Sequence, residues 1–166
     1  MTQPAAVPAD GNLKVYYVAT LADPENPTVT ELNAGTSKDL SCYITSDGFQ
    51  TTLDEQTITD NRLCSRATYE RPGRWQKQMT LSYVHNPDST ANNVAYLTFP
   101  YLATGYIVAR WGVPYENAWA ASDLADVYPI QAGKPSKNPP AENTVLTVTQ
   151  KMFITGESYD DAVVAA

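Results

Sequence analysis

Trp75-Gln76-Lys77-Gln78-Met79-Thr80-Leu81-Ser82-Tyr83-Val84 is the stretch that decides the fold class. Trp75, Met79, Leu81 and Tyr83 fall on one face and Gln76, Gln78, Thr80 and Ser82 on the other. That period of two marks a half-buried strand. Working outward, Leu13 to Val18, Leu40 to Thr45 and Phe49 to Leu53 read as further strands, the last two separated by the turn sequence Ser46-Asp47-Gly48, whose glycine tolerates positive φ. Downstream, Tyr106 to Trp111 is too apolar to be solvated on both sides, and Asp126 to Ala132 and Asn143 to Thr155 complete the set. One helix is expected over Ala91 to Leu102, capped by Asp88-Ser89-Thr90, with Val94, Leu97 and Tyr101 as its apolar stripe and Pro100 kinking or ending it. The fold class is therefore α+β, mainly β: an antiparallel β-sandwich or barrel with one flanking helix. The organisation expected is a flexible Pro/Ala-rich arm over 1–11, one domain over 12–155, and an acidic then Ala-rich tail over 156–166. Inside the domain, 54–74 is polar and without periodicity, a long connection of the kind that is functional or mobile.

Composition narrows the function classes. Of the 166 residues 43% are hydrophobic and 17% charged, enough to fill one core and too apolar for global disorder. The formal charge of −7 disfavours a protein that clamps phosphates, while a conduit past which DNA must slide is compatible with it. No apolar run reaches the roughly 18 residues that span a bilayer, and no membrane partner is expected. Met1-Thr-Gln-Pro-Ala-Ala-Val-Pro8 lacks the basic and apolar regions of a secretory signal, so synthesis in a cytoplasm is the expectation. Cys42 and Cys64 read as reduced thiols at small, half-buried strand positions, and with a single histidine they do not form a zinc site. No metal and no cofactor are expected.

Chemistry-bearing constellations are sparse. His85 sits in a turn before Asn86-Pro87; a nucleophilic pair with Cys42 or Cys64 is conceivable, but the local sequence has no thiol-enzyme signature. Gly105, Gly112 and Gly133 match no phosphate-binding pattern. Trp75, Trp111 and Trp119 fit either core and interface aromatics or a sugar-binding platform. The carboxylates are scattered, with no pair suited to glycoside cleavage. No catalytic residue is assigned, and the chain is not read as an enzyme.

Three ordered blocks carry a family resemblance. The first is Glu31-Leu-Asn-Ala-Gly35 running into Leu40 to Thr45. The second runs from Ala95-Tyr-Leu97 to Gly105-Tyr-Ile-Val-Ala-Arg-Trp-Gly112. The third is Asp126-Val-Tyr-Pro-Ile-Gln-Ala-Gly133, then Pro139-Pro-Ala-Glu-Asn143 and Val145 to Ile154. Over about residues 27 to 155 the chain resembles the major tail (tail tube) proteins of siphophages, especially those infecting actinobacteria. The resemblance implies a β-sandwich with a flanking helix that self-assembles into hexameric rings, stacked as the tube of a long non-contractile tail. DNA passes through the lumen during ejection without specific binding. It further implies a virion location and contacts with tape-measure, tail-tip and terminator proteins. A tail terminator or neck protein shares the general fold and stays open as an alternative; a monomeric carbohydrate-binding β-sandwich is the reading from another class.

In that setting the long loop gains a specific expectation. Arg62, Arg66, Arg71 and Arg74 lie within it, four of the five arginines. They are either a solvated basic loop or an inter-subunit surface facing acidic partners. The acidic candidates are Asp54 and Glu55 at the loop's own start and Glu157, Asp160 and Asp161 near the C-terminus. Alternating Thr/Val edge strands invite pairing with another chain, which suits a ring-former.

Overall fold

A computed structural model describes residues 2–166. Met1, the first residue of the expected arm, lies outside the described residues. The elements run β1 (Leu13–Val18), α1 (Val29–Leu32), β2 (Lys38–Asp39), β3 (Ile44–Asp60), β4 (Tyr69–Val84), α2 (Val94–Thr98), β5 (Thr104–Trp111), β6 (Leu124–Ala132), β7 (Ser136–Lys137), β8 (Thr147–Ile154) and β9 (Tyr159–Val163). All strand pairings between these elements are antiparallel, in the order β2-β1-β5-β6-β8-β4-β3. The path runs from one edge strand to another and does not close into a barrel.

Two strands, β6 and β8, change partners along their length. β8 pairs with β6 only through Met152 to Ile154, while its earlier residues pair with β4 on one side and with the two-residue β7 on the other. After Ile154 the chain loops and resumes as β9 along the first half of β6. Met152 thus stands at the junction, opposite both Met79 and Ala132.

Alternation along the central strands splits the core in two. In β5 Ile107 joins one cluster and Val108 the other; in β6 Tyr128 and Val127 divide the same way. Neighbouring strand residues point to opposite faces, so β5 and β6 are buried on both sides. One cluster packs Met79, Leu81 and Tyr83 of β4 against Ala95 of α2 and Phe99 just after it. The other packs Leu32 of α1, Trp119 and the C-terminal Val164.

Several expectations change. Helix α2 covers only Val94–Thr98, and the described residues hold two short helices, not one. The anticipated N-cap residues are drawn into a turn, with Ser89 Oγ accepting from Asn92 N, and Asn93 turns its side chain to His85. At the other end Pro100 has no N–H to continue the ladder. Leu97 and Tyr101 are exposed, and Ala95 and Phe99 bury instead. Leu40 to Tyr43 form a turn rather than strand, and β8 starts at Thr147 rather than Asn143. The short helix α1 was not foreseen, although Thr28-Val-Thr-Glu31 carries its signature. Glu31 N donates to Thr28 Oγ1 at 3.2 Å and Thr28 N donates to Glu31 Oε2 at 3.0 Å, a reciprocal capping box.

Residues 54–74 are not a loop. They form the outer part of the β3–β4 hairpin, paired from Phe49↔Leu81 to Asp60↔Tyr69 with one register shift between Glu55 and Thr57, and with 61–68 as the connecting tip. Periodicity in this segment is lost because neither face is buried, so no hydrophobic alternation is selected. The segment 156–166 is likewise not a free tail. β9 pairs with β6, Val164 is buried, and Ala165 N donates to Pro27 O at 2.9 Å while its carbonyl accepts from Val29 N at 2.9 Å.

Candidate assembly surface

Six of the nine sequence-predicted residues, Asp54, Glu55, Arg62, Arg66, Arg71 and Arg74, lie on one feature, a two-stranded ribbon that leaves the body, while Glu157, Asp160 and Asp161 lie on or just before β9. In β4 burial starts at Met79 and continues at Leu81 and Tyr83; before it every residue from Tyr69 to Gln76 is exposed or half-buried. Trp75, expected on the buried face, is 56% exposed because the strand has already left the core there. Nine residues separate Thr51 from Asp60, so the ribbon extends roughly 30 Å beyond the body at about 3.3 Å per residue.

Two bulges shape it. Between Ile44 and Phe49 the register slips, and Thr45 to Gly48 bulge out of the ladder where a turn was expected. Gly48 does not use positive φ. Its requirement is space, since a Cβ there would stand 2.1 Å from the Ser82 carbonyl oxygen. The second bulge lies between Glu55 and Thr57, where Gly73 packs against the Gln56 backbone. Bulges bend and twist the strand that carries them, so these positions set the ribbon's direction.

The ribbon's surface is unusual for a protein standing alone. Leu53, Ile58, Tyr69 and Trp75 are each more than half exposed, and Leu63 at the tip is fully exposed. The register places Leu53, Glu55 and Trp75 on the face continuing from Met79, and Ile58, Asp60, Tyr69 and Arg71 on the opposite face. β3 is also the last strand of the sheet order, so along its 17 residues the outer edge has no strand partner among the described residues. An isolated two-stranded hairpin is marginal in water, and an open edge is a template for pairing.

The four arginines are distributed along this ribbon. Arg62, in the tip, donates from Nε to Asp60 Oδ1 at 2.8 Å and from a terminal nitrogen to Oδ2 at 3.1 Å. This contact raises the guanidinium pKa. Arg71 stands 3.7 Å from the same carboxylate. Arg66 and Arg74 make no ion pair among the described residues. Asp54 and Glu55 lie on β3 opposite Gln76 and Trp75, not opposite an arginine. On β9, Asp160 pairs with Lys77 of β4, which lies over the Tyr128 ring. Asp161 adopts φ 56° and donates its N–H to Asp126 Oδ1 at 3.0 Å, and Glu157 is exposed in the preceding turn. Among the acidic candidates near the C-terminus only Asp160 makes an ion pair, to Lys77, and Asp60, absent from the expected set, is the partner of Arg62 and Arg71.

At the ribbon's root lies a groove of about 660 Å³. Its walls are the end of the arm (Val7 to Asn12), the start of β3 (Ile44 to Phe49), and Trp111 with Tyr115. Phe49 and Trp111 meet edge to face at 5.8 Å, and Trp111 Nε1 donates to Asp126 Oδ2 at 2.7 Å. The loop following Trp111 is held from beneath by two buried cations. Arg110 donates to the carbonyls of Pro114, Asn117 and Ala118 and pairs with Asp123 at 2.7 Å. Lys14 Nζ donates to the carbonyls of Tyr115 and Asn117, and its burial lowers its pKa against the attraction of Asp39. The neighbouring Cys42 thiol raises the pKa of the Tyr115 hydroxyl.

The remaining candidates resolve simply. Cys42 and Cys64 are free and exposed, in a turn and in the ribbon tip, not half-buried in strands. His85 is buried against the Tyr96 ring at 4.7 Å and hydrogen-bonds Asn93, with no thiol among its partners. Trp119 is buried while Trp75 and Trp111 are half exposed on separate elements, so the three do not form a platform. No helix among the described residues is long and apolar enough to cross a membrane.

Comparison with known proteins follows the same direction. Among solved structures, a chain from the cryo-EM structure of the anti-feeding prophage baseplate, 6-fold symmetrised, is similar with a TM-score of 0.52 and 11% identity, over 99% of this chain and 98% of that one. At that identity the likeness concerns the fold. A chain of the anti-feeding prophage cap, described as a tube terminating cap, gives a TM-score of 0.48 and 13% identity over 100% and 95% of the two chains. No curated protein matches. The family described as phage tail tube protein matches residues 1–166, the whole length. The chain belongs to the phage tail tube protein family, and it is a structural component of the tail, not an enzyme.

Proposed function

We propose that this protein closes into six-membered rings that stack as the tube of a long, non-contractile tail, and that the tube conducts the genome during ejection. The observation that carries this reading is the ribbon. About 30 Å of paired strand with apolar side chains on both faces and an open edge has no strand partner among the described residues. A second copy supplies one: lateral pairing along β3 closes a ring, and the protruding end reaches the next ring. Bulk charge supports the conduit, since −7 per subunit repels phosphates and leaves DNA mobile. Tape-measure, tail-tip and terminator proteins are the partners such a tube requires at its core and ends.

Electron microscopy of the purified protein across concentration tests the proposal, alongside a variant in which residues 54–74 are replaced by a two-residue turn. The parent forms rings or tubes. The shortened variant stays monomeric with its melting temperature preserved, because no side chain of that segment belongs to either core cluster. Tubes formed by the shortened variant would overturn the role of the ribbon. Single rings that never stack would favour a terminator. Replacing Arg71 and Arg74 with Glu probes the electrostatic part: tube growth stops while the monomer stays folded.

A further inference from the structure

The ribbon tip and the root groove are complementary, and this extends the tube reading, on which it rests, to the atoms of the ring-to-ring contact. We propose that Leu63 and Cys64 at the tip of one subunit seat in the groove beside Phe49, Trp111 and Cys42 of a second copy.

Four observations converge. The tip is a formed turn: Ser65 N donates to Arg62 O at 3.1 Å, and Ser65 Oγ bonds both N–H and carbonyl of Ala67 at 3.1 Å. It presents Leu63 with no contact in its own chain, the most exposed of the large apolar side chains. The groove is the converse, an apolar hollow into which the half-exposed Trp111 and Phe49 face. Charge agrees as well. At the tip Arg62 is paired to Asp60 and Arg66 makes no ion pair among the described residues, whereas Asp10 lines the groove and Asp47 and Glu116 adjoin lining residues. The nearest cation, Lys14, is turned inward onto the Tyr115 and Asn117 carbonyls, so it does not offset them. Such complementarity fixes register.

Symmetry gives the contact its consequence. Tip and groove are different patches of one surface, so a tip-in-groove contact is heterologous and propagates as an open-ended filament, as tube growth requires. The ribbon length separates the two patches by roughly 30 Å within a subunit.

The chain's only two cysteines fall one on each patch, and both thiols are free and exposed. A disulfide needs Cα atoms within about 7 Å, so Cys64 cannot reach Cys42 of its own chain. A link between these positions reports contact between copies.

The experiment treats assembled full-length protein with a short bismaleimide, which alkylates one thiol at each end, and reads covalent multimers on a denaturing gel. A ladder is expected, with Cys42–Cys64 as the linked pair by mass spectrometry. Cys42→Ser and Cys64→Ser each collapse it to monomer. A ladder surviving in either variant, or intact tubes without the link, overturns the docking while leaving the tube reading in place. Absence of rings and tubes under all conditions removes both. Independently, Leu63→Asp raises the concentration needed for assembly at least about tenfold, since a buried leucine contributes more than that factor. The monomer's melting temperature is unchanged, because Leu63 supports nothing in its own chain. An unchanged assembly threshold overturns the proposal.

Discussion

Arg110→Met should destabilise the folded subunit by about 3 kcal/mol, and the structure gives the reason for that size. The guanidinium is 1% exposed and donates four hydrogen bonds, to three carbonyls and to Asp123. It also lies over the Trp119 ring at 5.1 Å. Methionine replaces the stem and removes every donor. Asp123 then keeps only the Ala120 N–H as a partner and the Ala118 carbonyl loses its own, while the carbonyls of Asn117 and Pro114 keep Lys14 Nζ and Asn117 N–H. Breaking a buried pair by deleting one member costs about 3–5 kcal/mol. Asp123 retains 18% side-chain exposure, so water recovers part of the loss and the lower end applies. For a domain of this size about 3 kcal/mol is a fall of roughly 6–12 °C in melting temperature. The assay is urea and thermal unfolding of Arg110→Met, Asp123→Asn and the double variant under conditions that keep the protein monomeric. The double variant should be less damaged than the sum of the singles by about 1–2 kcal/mol, because each single strands a charge that the other removes. Added salt should alter the difference little, since a buried pair is weakly screened. A single variant within about 1 kcal/mol of the parent, or strict additivity, would refute the reasoning.

Other outcomes follow from the same contacts. Tyr83 and Tyr128 are buried, which raises both hydroxyl pKa values above the ordinary 10.0. The folded state keeps protons that the unfolded chain releases, so their stabilisation is complete below about pH 10 and is lost as pH rises beyond it. Alkaline unfolding of Tyr83→Phe should therefore show a shallower pH dependence than the parent. Glu31 behaves oppositely: the N–H groups of Ala22 and Thr28 hold its carboxyl below the ordinary 4.5, so its contribution is present above that value and is lost as acid protonates it. Glu31→Ala should cost about 1 kcal/mol at neutral pH, with the gap to the parent narrowing in acid denaturation curves. Gly48→Ala places a Cβ against the Ser82 carbonyl; it should lower the melting temperature and impair assembly, because the bulge that aims the ribbon must shift. Normal stability and normal tubes would show that the bulge tolerates a side chain.

Much of this was legible one strand at a time. Where a face is buried, the sequence alternates, and Met79, Leu81 and Tyr83 declared β4 without any knowledge of what covers them. The family too was readable, through blocks spread over most of the chain. By itself the sequence therefore determined an antiparallel β-rich tail component with no catalytic constellation. It did not determine the ribbon. From Leu53 to Trp75 no described residue joins either core cluster, so the apolar residues follow no period, and pairing is held by backbone hydrogen bonds that any residue except proline can donate. The C-terminal segment misled for a related reason: Asp160 and Asp161 look like a solvated tail, while Ala162 and Val164, only two residues in a small-residue context, supply its buried contacts. Arg110 looked like any strand arginine, and its four partners come from residues 114–123, folded back over it. Local periodicity records burial against the strand's own sheet; the lining of the groove and the partners of Arg110 and Lys14 come from distant segments of the chain, and only the tertiary structure brings them together.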